Sequence, residues 1–123
     1  MNAASGRVLV VDDEAHVRQM LSDFLIAQGY EVAAVATGIQ ALEQVASLQP
    51  DVIMLDMMMP GLAGADVLTA LRRSGITVPV IQITGHQVTV RDGFFAVLTK
   101  PFHLRRLGEV VAAAIAQGRT SSG

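Results

Sequence analysis

Cysteine is absent from this 123-residue chain, which rules out disulfides, thiolate metal sites and cysteine nucleophiles and suits a reducing cytosol. No apolar run approaches the ~18 residues of a membrane span, and Met1 to Gly6 have neither the basic start nor the apolar length of a signal peptide. A soluble, cytoplasmic protein with no membrane partner is therefore expected. Positive charge is scarce too. Nine Lys and Arg against eleven Asp and Glu leave a net charge of −2 and form no basic stripe of the sort that neutralises a phosphate backbone. Direct nucleic-acid binding is not expected, and any effect on DNA has to be indirect. Lysine occurs once, at position 100. Apolar residues, at 51%, are abundant enough for a chain of this length to bury the core of one domain.

Those apolar residues fall into short runs. Arg7 to Val11, Glu31 to Val35, Val52 to Leu55, Val80 to Thr84 and Phe95 to Leu98 read as strands, several of them of the continuous β-branched kind that is covered on both faces. Stretches of helical spacing lie between them. Val17, Met20, Leu21, Phe24 and Leu25 form one helical face, closed by Gly29. Ile39, Leu42, Val45 and Ala46 form a second behind a Thr37 N-cap, with Pro50 as terminator. Val67, Leu68 and Leu71 mark a third after the Met59-Pro60-Gly61 turn, and Leu104, Leu107, Val110, Val111, Ala114 and Ile115 line the last.

Alternating strands and helices predict an α/β, doubly wound, five-stranded parallel sheet with right-handed crossovers and helices on both faces. One crossover is too short for the pattern. Only Gly85 to Gly93 separate Thr84 from Phe94, and Val88-Thr89-Val90 within them is a poor helix former, so the fourth helix is expected to be short or absent. The domain is assigned to residues 5–117, and the small, polar residues 118–123 read as a flexible tail.

In a parallel sheet such runs end on one edge. Asp12 and Asp13 close the first, Asp56 the third, Thr84 the fourth, and Lys100 follows the fifth just before Pro101, so these side chains should converge on one small pocket. Three carboxylates around one ammonium leave a surplus of about two negative charges, which calls for a divalent cation or for protons. A Mg2+ site is the simpler answer. Oxygen ligands, a free carboxylate, a hydroxyl and a cation are the parts needed to move a phosphoryl group onto an aspartate. Each residue also has a plainer reading: Asp12 and Asp13 as helix caps, Asp56 as a turn residue, Thr84 as an ordinary strand residue. Met57 to Met59 read as core filling rather than a soft-metal site, His16 and His103 as surface or capping residues, and Arg105-Arg106 as a solvated face.

Four segments, taken together and in order, resemble the receiver domain of two-component response regulators. They are Val-Asp-Asp-Glu (Val11 to Glu14), Pro-Asp-Val-Ile-Met-Leu-Asp-Met-Met-Met-Pro-Gly (Pro50 to Gly61), Thr-Gly-His (Thr84 to His86) and Leu-Thr-Lys-Pro-Phe (Leu98 to Phe102). The resemblance spans about Arg7 to Gln117 and implies strand order 2-1-3-4-5. It also implies a phosphoacceptor switch in a phosphorelay, with Asp56 attacking the phosphohistidine of a histidine kinase or phosphotransfer protein. By the same likeness Asp13 binds Mg2+ directly and Asp12 mainly through water, while Asp56 and the Met58 backbone carbonyl complete the protein ligands. Lys100 pairs first with Asp56 and then with a phosphoryl oxygen, the Thr84 hydroxyl bonds another, and Lys100-Pro101 is a cis peptide.

Some positions depart from the family pattern. Val97 stands where an aromatic switch is usual, with Phe95 on the same strand face as the candidate substitute. Ala63 replaces the frequent acidic cap of the third helix, and Met58 and His86 occupy positions that tune how water reaches the acyl phosphate. With the shortened crossover, these changes put the family's usual output face in doubt. The expectation is a single-domain regulator, monomeric or weakly dimeric, that acts by docking to other proteins and catalyses nothing beyond its own phosphorylation and dephosphorylation. Two alternatives remain. One is a pseudo-receiver that binds without being phosphorylated; the other is a Mg2+-dependent phosphohydrolase with an aspartyl-phosphate intermediate, which would commonly carry a second acid where Met58 stands.

Overall fold

Short β-branched runs form strands here because helices cover both of their faces, and the computed structural model, which describes residues 6–85 and 93–121, contains all five. The order is β1 (Arg7–Val11), α1 (Ala15–Ala27), β2 (Glu31–Val35), α2 (Gly38–Leu48), β3 (Val52–Asp56), α3 (Gly64–Arg73), β4 (Val80–Thr84), β5 (Ala96–Thr99) and α4 (Leu104–Ser121). The strands make one parallel sheet in the order β2-β1-β3-β4-β5. That is the doubly wound α/β architecture the sequence implied. The order reverses at β1, so a crevice opens beyond the carboxyl ends of β1 and β3, where Val11 pairs with Leu55.

Alternating residues of each strand build two cores. Val8, Val10, Met54, Ile81 and Ile83 pack with Val17, Leu21 and Leu25 of α1 and with Leu107, Val111 and Ala114 of α4. Leu9, Val11, Ile53 and Leu55 pack with Val45 of α2 and with Val67, Leu68 and Leu71 of α3. Full burial of such a side chain contributes about 1.5–3 kcal/mol, and β3 and β4 are buried along their whole length. The strands at the centre of the sheet are thus its most strongly held elements.

Thr37 caps α2 as expected, its hydroxyl accepting from the Gln40 amide at 3.1 Å, while the Gln40 side chain returns to the Ala36 amide at 2.9 Å. The inner face of α2 needs correction. Gly38, Ala41 and Val45 are buried, whereas Ile39 is 58% exposed and Ala46 lies on the outside. Close approach of α2 to α3 explains the choice of small residues, since a Cβ at Gly38 would lie 2.6 Å from Val67 Cγ2. Met20 and Leu104, also expected on inner faces, are exposed as well.

The last helix is longer than the sequence implied. It continues to Ser121, so residues 118–121 of the segment read as a flexible tail are helical. Gly118 lies beside Pro79, where a Cβ would make ordinary contact with the ring at 3.4 Å, and the helix continues through it despite the low helix propensity of glycine. At the other margin β5 is displaced by one residue, with the Phe95 amide bonded to the Val80 carbonyl at 2.8 Å. The expected short or absent fourth helix falls on 86–92, outside the described residues. Among the described residues, no helix is long and apolar enough to cross a membrane.

Candidate functional site

Asp12 follows the last residue of β1 and is completely buried. Its Oδ1 accepts from the Glu14 amide at 2.9 Å, and the Arg18 guanidinium donates to its backbone carbonyl at 2.8 Å. Its Oδ2, also buried, has no hydrogen-bond partner among the described residues and stands 3.3 Å from Lys100 Nζ. Asp56 ends β3 at 3% exposure, with Oδ1 accepting from the Met58 amide at 2.9 Å. Asp13 is exposed beside them, and one carboxylate oxygen from each of Asp12, Asp13 and Asp56 lies within 4.8 Å of the others. The convergence expected of these carboxylates is present.

Lys100 reaches the same place from the edge of the sheet. Its backbone amide bonds the Thr84 carbonyl at 2.8 Å, and the Lys100-Pro101 peptide is cis. The ammonium lies 2.9 Å from Glu14 Oε1, 3.3 Å from Asp12 Oδ2 and 3.9 Å from Asp56 Oδ2. The expected pair with Asp56 is the longest of the three, and the shortest goes to a residue that the sequence had not nominated. Only its place in Val11 to Glu14, beside the two aspartates, was a signal for Glu14.

Thr84 is buried at the end of β4, in register with Thr99 and one residue beyond Ile83, the partner of Asp56. Asp13, Glu14, Asp56, Met58, Gly85 and Lys100 line an open cleft of about 320 Å³. Gly64 lets α3 begin directly against the loop that leaves β3, because a Cβ there would lie 3.2 Å from the Asp56 carbonyl and 2.6 Å from Met57 Sδ. Of the three methionines, Met59 is buried and Met57 packs against the core, but Met58 is 65% exposed at the cleft, so core filling does not describe it. Phe95 and Val97 are both half-buried, and Phe95 packs against the core shared with α1 and α4. His86 lies outside the described residues.

Burial pushes the Asp56 carboxyl up to about 6; the Met58 amide opposes this, the Asp12 charge adds to it, and Lys100 offsets part. Burial pulls Lys100 down, yet the hydrogen bond to Glu14 and the charges of Asp12 and Asp56 together outweigh it and leave its pKa raised. The hydrogen bond and charge of Lys100 hold Glu14 below the usual carboxylate range. An acidic cluster that includes one buried oxygen without a hydrogen-bond partner among the described residues, and a carboxylate reluctant to ionise alone, fits a hard divalent cation such as Mg2+.

The model of the response regulator receiver domain matches residues 8–112. The chain belongs to the response regulator receiver family. Like other receiver domains it is a phosphoacceptor signalling module of two-component systems. It is 36% identical to the DNA-binding response regulator MtrA of Mycobacterium bovis over 94% of its own length and 53% of that protein's. It is 41% identical to a protein-glutamate methylesterase/protein-glutamine glutaminase of Myxococcus xanthus, over 95% of this chain and 37% of that one. The receiver thus spans about half, or less, of the length of these curated relatives. The solved Francisella response regulator 1452 receiver domain superposes with a TM-score of 0.84 at 30% identity, covering 91% of this chain and 98% of the other.

Proposed function

We propose that Asp56 is the phosphorylated residue of this receiver. A histidine kinase or histidine phosphotransfer protein is its donor, and Asp12, Asp13, Asp56 and the Met58 backbone carbonyl hold Mg2+. The observation that carries this reading is the buried Asp56 carboxylate opening on a cleft lined also by Asp13 and the chain's one lysine, with the buried Asp12 carboxylate clustered against both aspartates. An Asp56 oxygen attacks phosphorus; the new P–O bond forms as the P–N bond of the donor phosphohistidine breaks, and the imidazole leaves with its electron pair. Asp56 needs no general base, since its reactive form is the ionised carboxylate, which a bound cation and Lys100 favour. Mg2+ supplies charge neutralisation for the phosphoryl oxygens. Lys100 takes one of those oxygens and the Thr84 hydroxyl another, and the inward movement of the Thr84 segment is the switch.

A signalling role rather than turnover of other substrates is supported by Met58, an exposed thioether where a hydrolase would place a second acid. The output is docking to a protein target in the cytoplasm, by a monomer or weak dimer with no direct nucleic-acid contact. DNA binding is a property named for the MtrA relatives, which extend well beyond the matched region. Incubation with acetyl phosphate and Mg2+ should produce one stoichiometric, hydroxylamine-labile mass increase that Asp56→Asn abolishes. An unchanged increase in the variant would refute the assignment.

A further inference from the structure

Glu14 occupies the N-cap position of α1, yet its side chain makes no capping hydrogen bond. It reaches instead across the pocket to Lys100, 86 residues away in sequence, at 2.9 Å. That contact is a full ångström shorter than the one between Lys100 and Asp56 at 3.9 Å. Lys100 therefore rests on the β1 side of the cleft, although its reaction partner ends β3. We propose that Glu14 is a positioning residue, a tether that holds the Lys100 ammonium away from Asp56 in the resting state and surrenders it when a phosphoryl group forms there.

The geometry makes Glu14 the natural partner to yield. Its side chain is half exposed and can turn into solvent, whereas the Asp12 carboxylate is fully enclosed and fixed by the Glu14 amide. An ammonium has three donors, so Lys100 can keep Asp12 while exchanging Glu14 for a phosphoryl oxygen. The exchange replaces one ion pair with another, and loss of the tether should favour the phosphorylated arrangement by the small amount typical of a part-exposed pair. The inference rests on Asp56 being the phosphorylated residue, and its test separates the two.

Beryllofluoride, a phosphoryl mimic, is titrated calorimetrically into the protein at saturating Mg2+. Glu14→Gln should tighten its binding roughly two- to fivefold, and the same substitution in a Lys100→Ala background should change nothing. The single lysine provides a second readout, because protein labelled with 15N-lysine gives one side-chain Nζ signal. That signal should be displaced by Glu14→Gln at rest and should coincide with the unsubstituted protein's once beryllofluoride is bound. No tightening, an unmoved Nζ signal, or equal tightening without Lys100 overturns the tether, the last by assigning the effect to charge alone. Failure of the unsubstituted protein to bind beryllofluoride overturns the phosphoacceptor assignment and the tether with it.

Discussion

β3 and β5 each deliver one charged group to the same cleft, the first from the middle of the sheet and the second from its edge. β3 is buried from Val52 through Asp56, whereas Ala96 and Val97 of β5 are only half-buried and the Lys100 side chain retains 22% exposure. Burial fixes the group that must present one oxygen in one direction, and raises the cost of its charge until a cation arrives. The edge position leaves the group that changes partners free to do so. A fixed acceptor and a movable cation divide the work of a switch, and the sheet order supplies the division.

The sharpest way to break this contrast is to empty the core beneath each strand. Leu55, fully buried one residue before Asp56, should cost about 2–5 kcal/mol on substitution by alanine, whereas Val97→Ala at the half-buried edge should cost about 1 kcal/mol. Urea denaturation of the two variants measures the gap, and equal losses would show that β5 is as firmly held as β3.

A smaller effect tests the charge on the fixed side. The Asp56 carboxyl, raised from 3.8 to about 6, binds more protons in the folded than in the unfolded chain between those values. Its contribution to stability is complete below the unfolded value and is lost as pH rises through about 6. Asp56→Asn, neutral throughout, should therefore be more stable than the parent at about pH 7.5 in the absence of metal, by on the order of 2 kcal/mol. The advantage should shrink as pH falls through about 6 and vanish near pH 4. Mg2+ reverses the order, because it favours the ionised carboxylate: it should raise the melting temperature of the parent more at about pH 7.5 than at about pH 5, and that of the variant less. Melting curves of parent and variant that run parallel across this range would remove the strained carboxylate from the account.

Strand positions and the pocket aspartates were legible in the sequence because their signals are local: continuous β-branched runs, each ended by a polar residue. Contacts decided by tertiary approach were not. Periodicity favours large apolar side chains and so points to Ile39 rather than Gly38 as an inner position, although at Gly38 a Cβ would lie 2.6 Å from Val67 of α3. Nothing along the chain ranks Asp56, Asp12 and Glu14 as partners of Lys100, because the ranking depends on where an edge strand leaves its side chain. Glycine at 118 and the polar residues around it suggest an end to α4, yet the helix runs on to Ser121 past Pro79.

The smallest effect concerns the loop that carries Asp56 into α3. Ala63 occupies the N-cap of α3 with an extended backbone, φ −69° and ψ 155°; its carbonyl accepts from the Asp66 amide at 3.0 Å, but it offers no side-chain oxygen to the first turn. Serine fits that backbone and adds a side-chain acceptor without a new charge near the cleft, so Ala63→Ser should stabilise the protein by about 0.5–1 kcal/mol. Mg2+ affinity, measured by titration calorimetry, should remain that of the parent, because Gly64 already packs α3 against the Asp56 carbonyl and the cap only secures an existing position. If affinity rises with stability, the loop after β3 is looser than its buried strand, and the fixed half of the contrast ends at Asp56 itself.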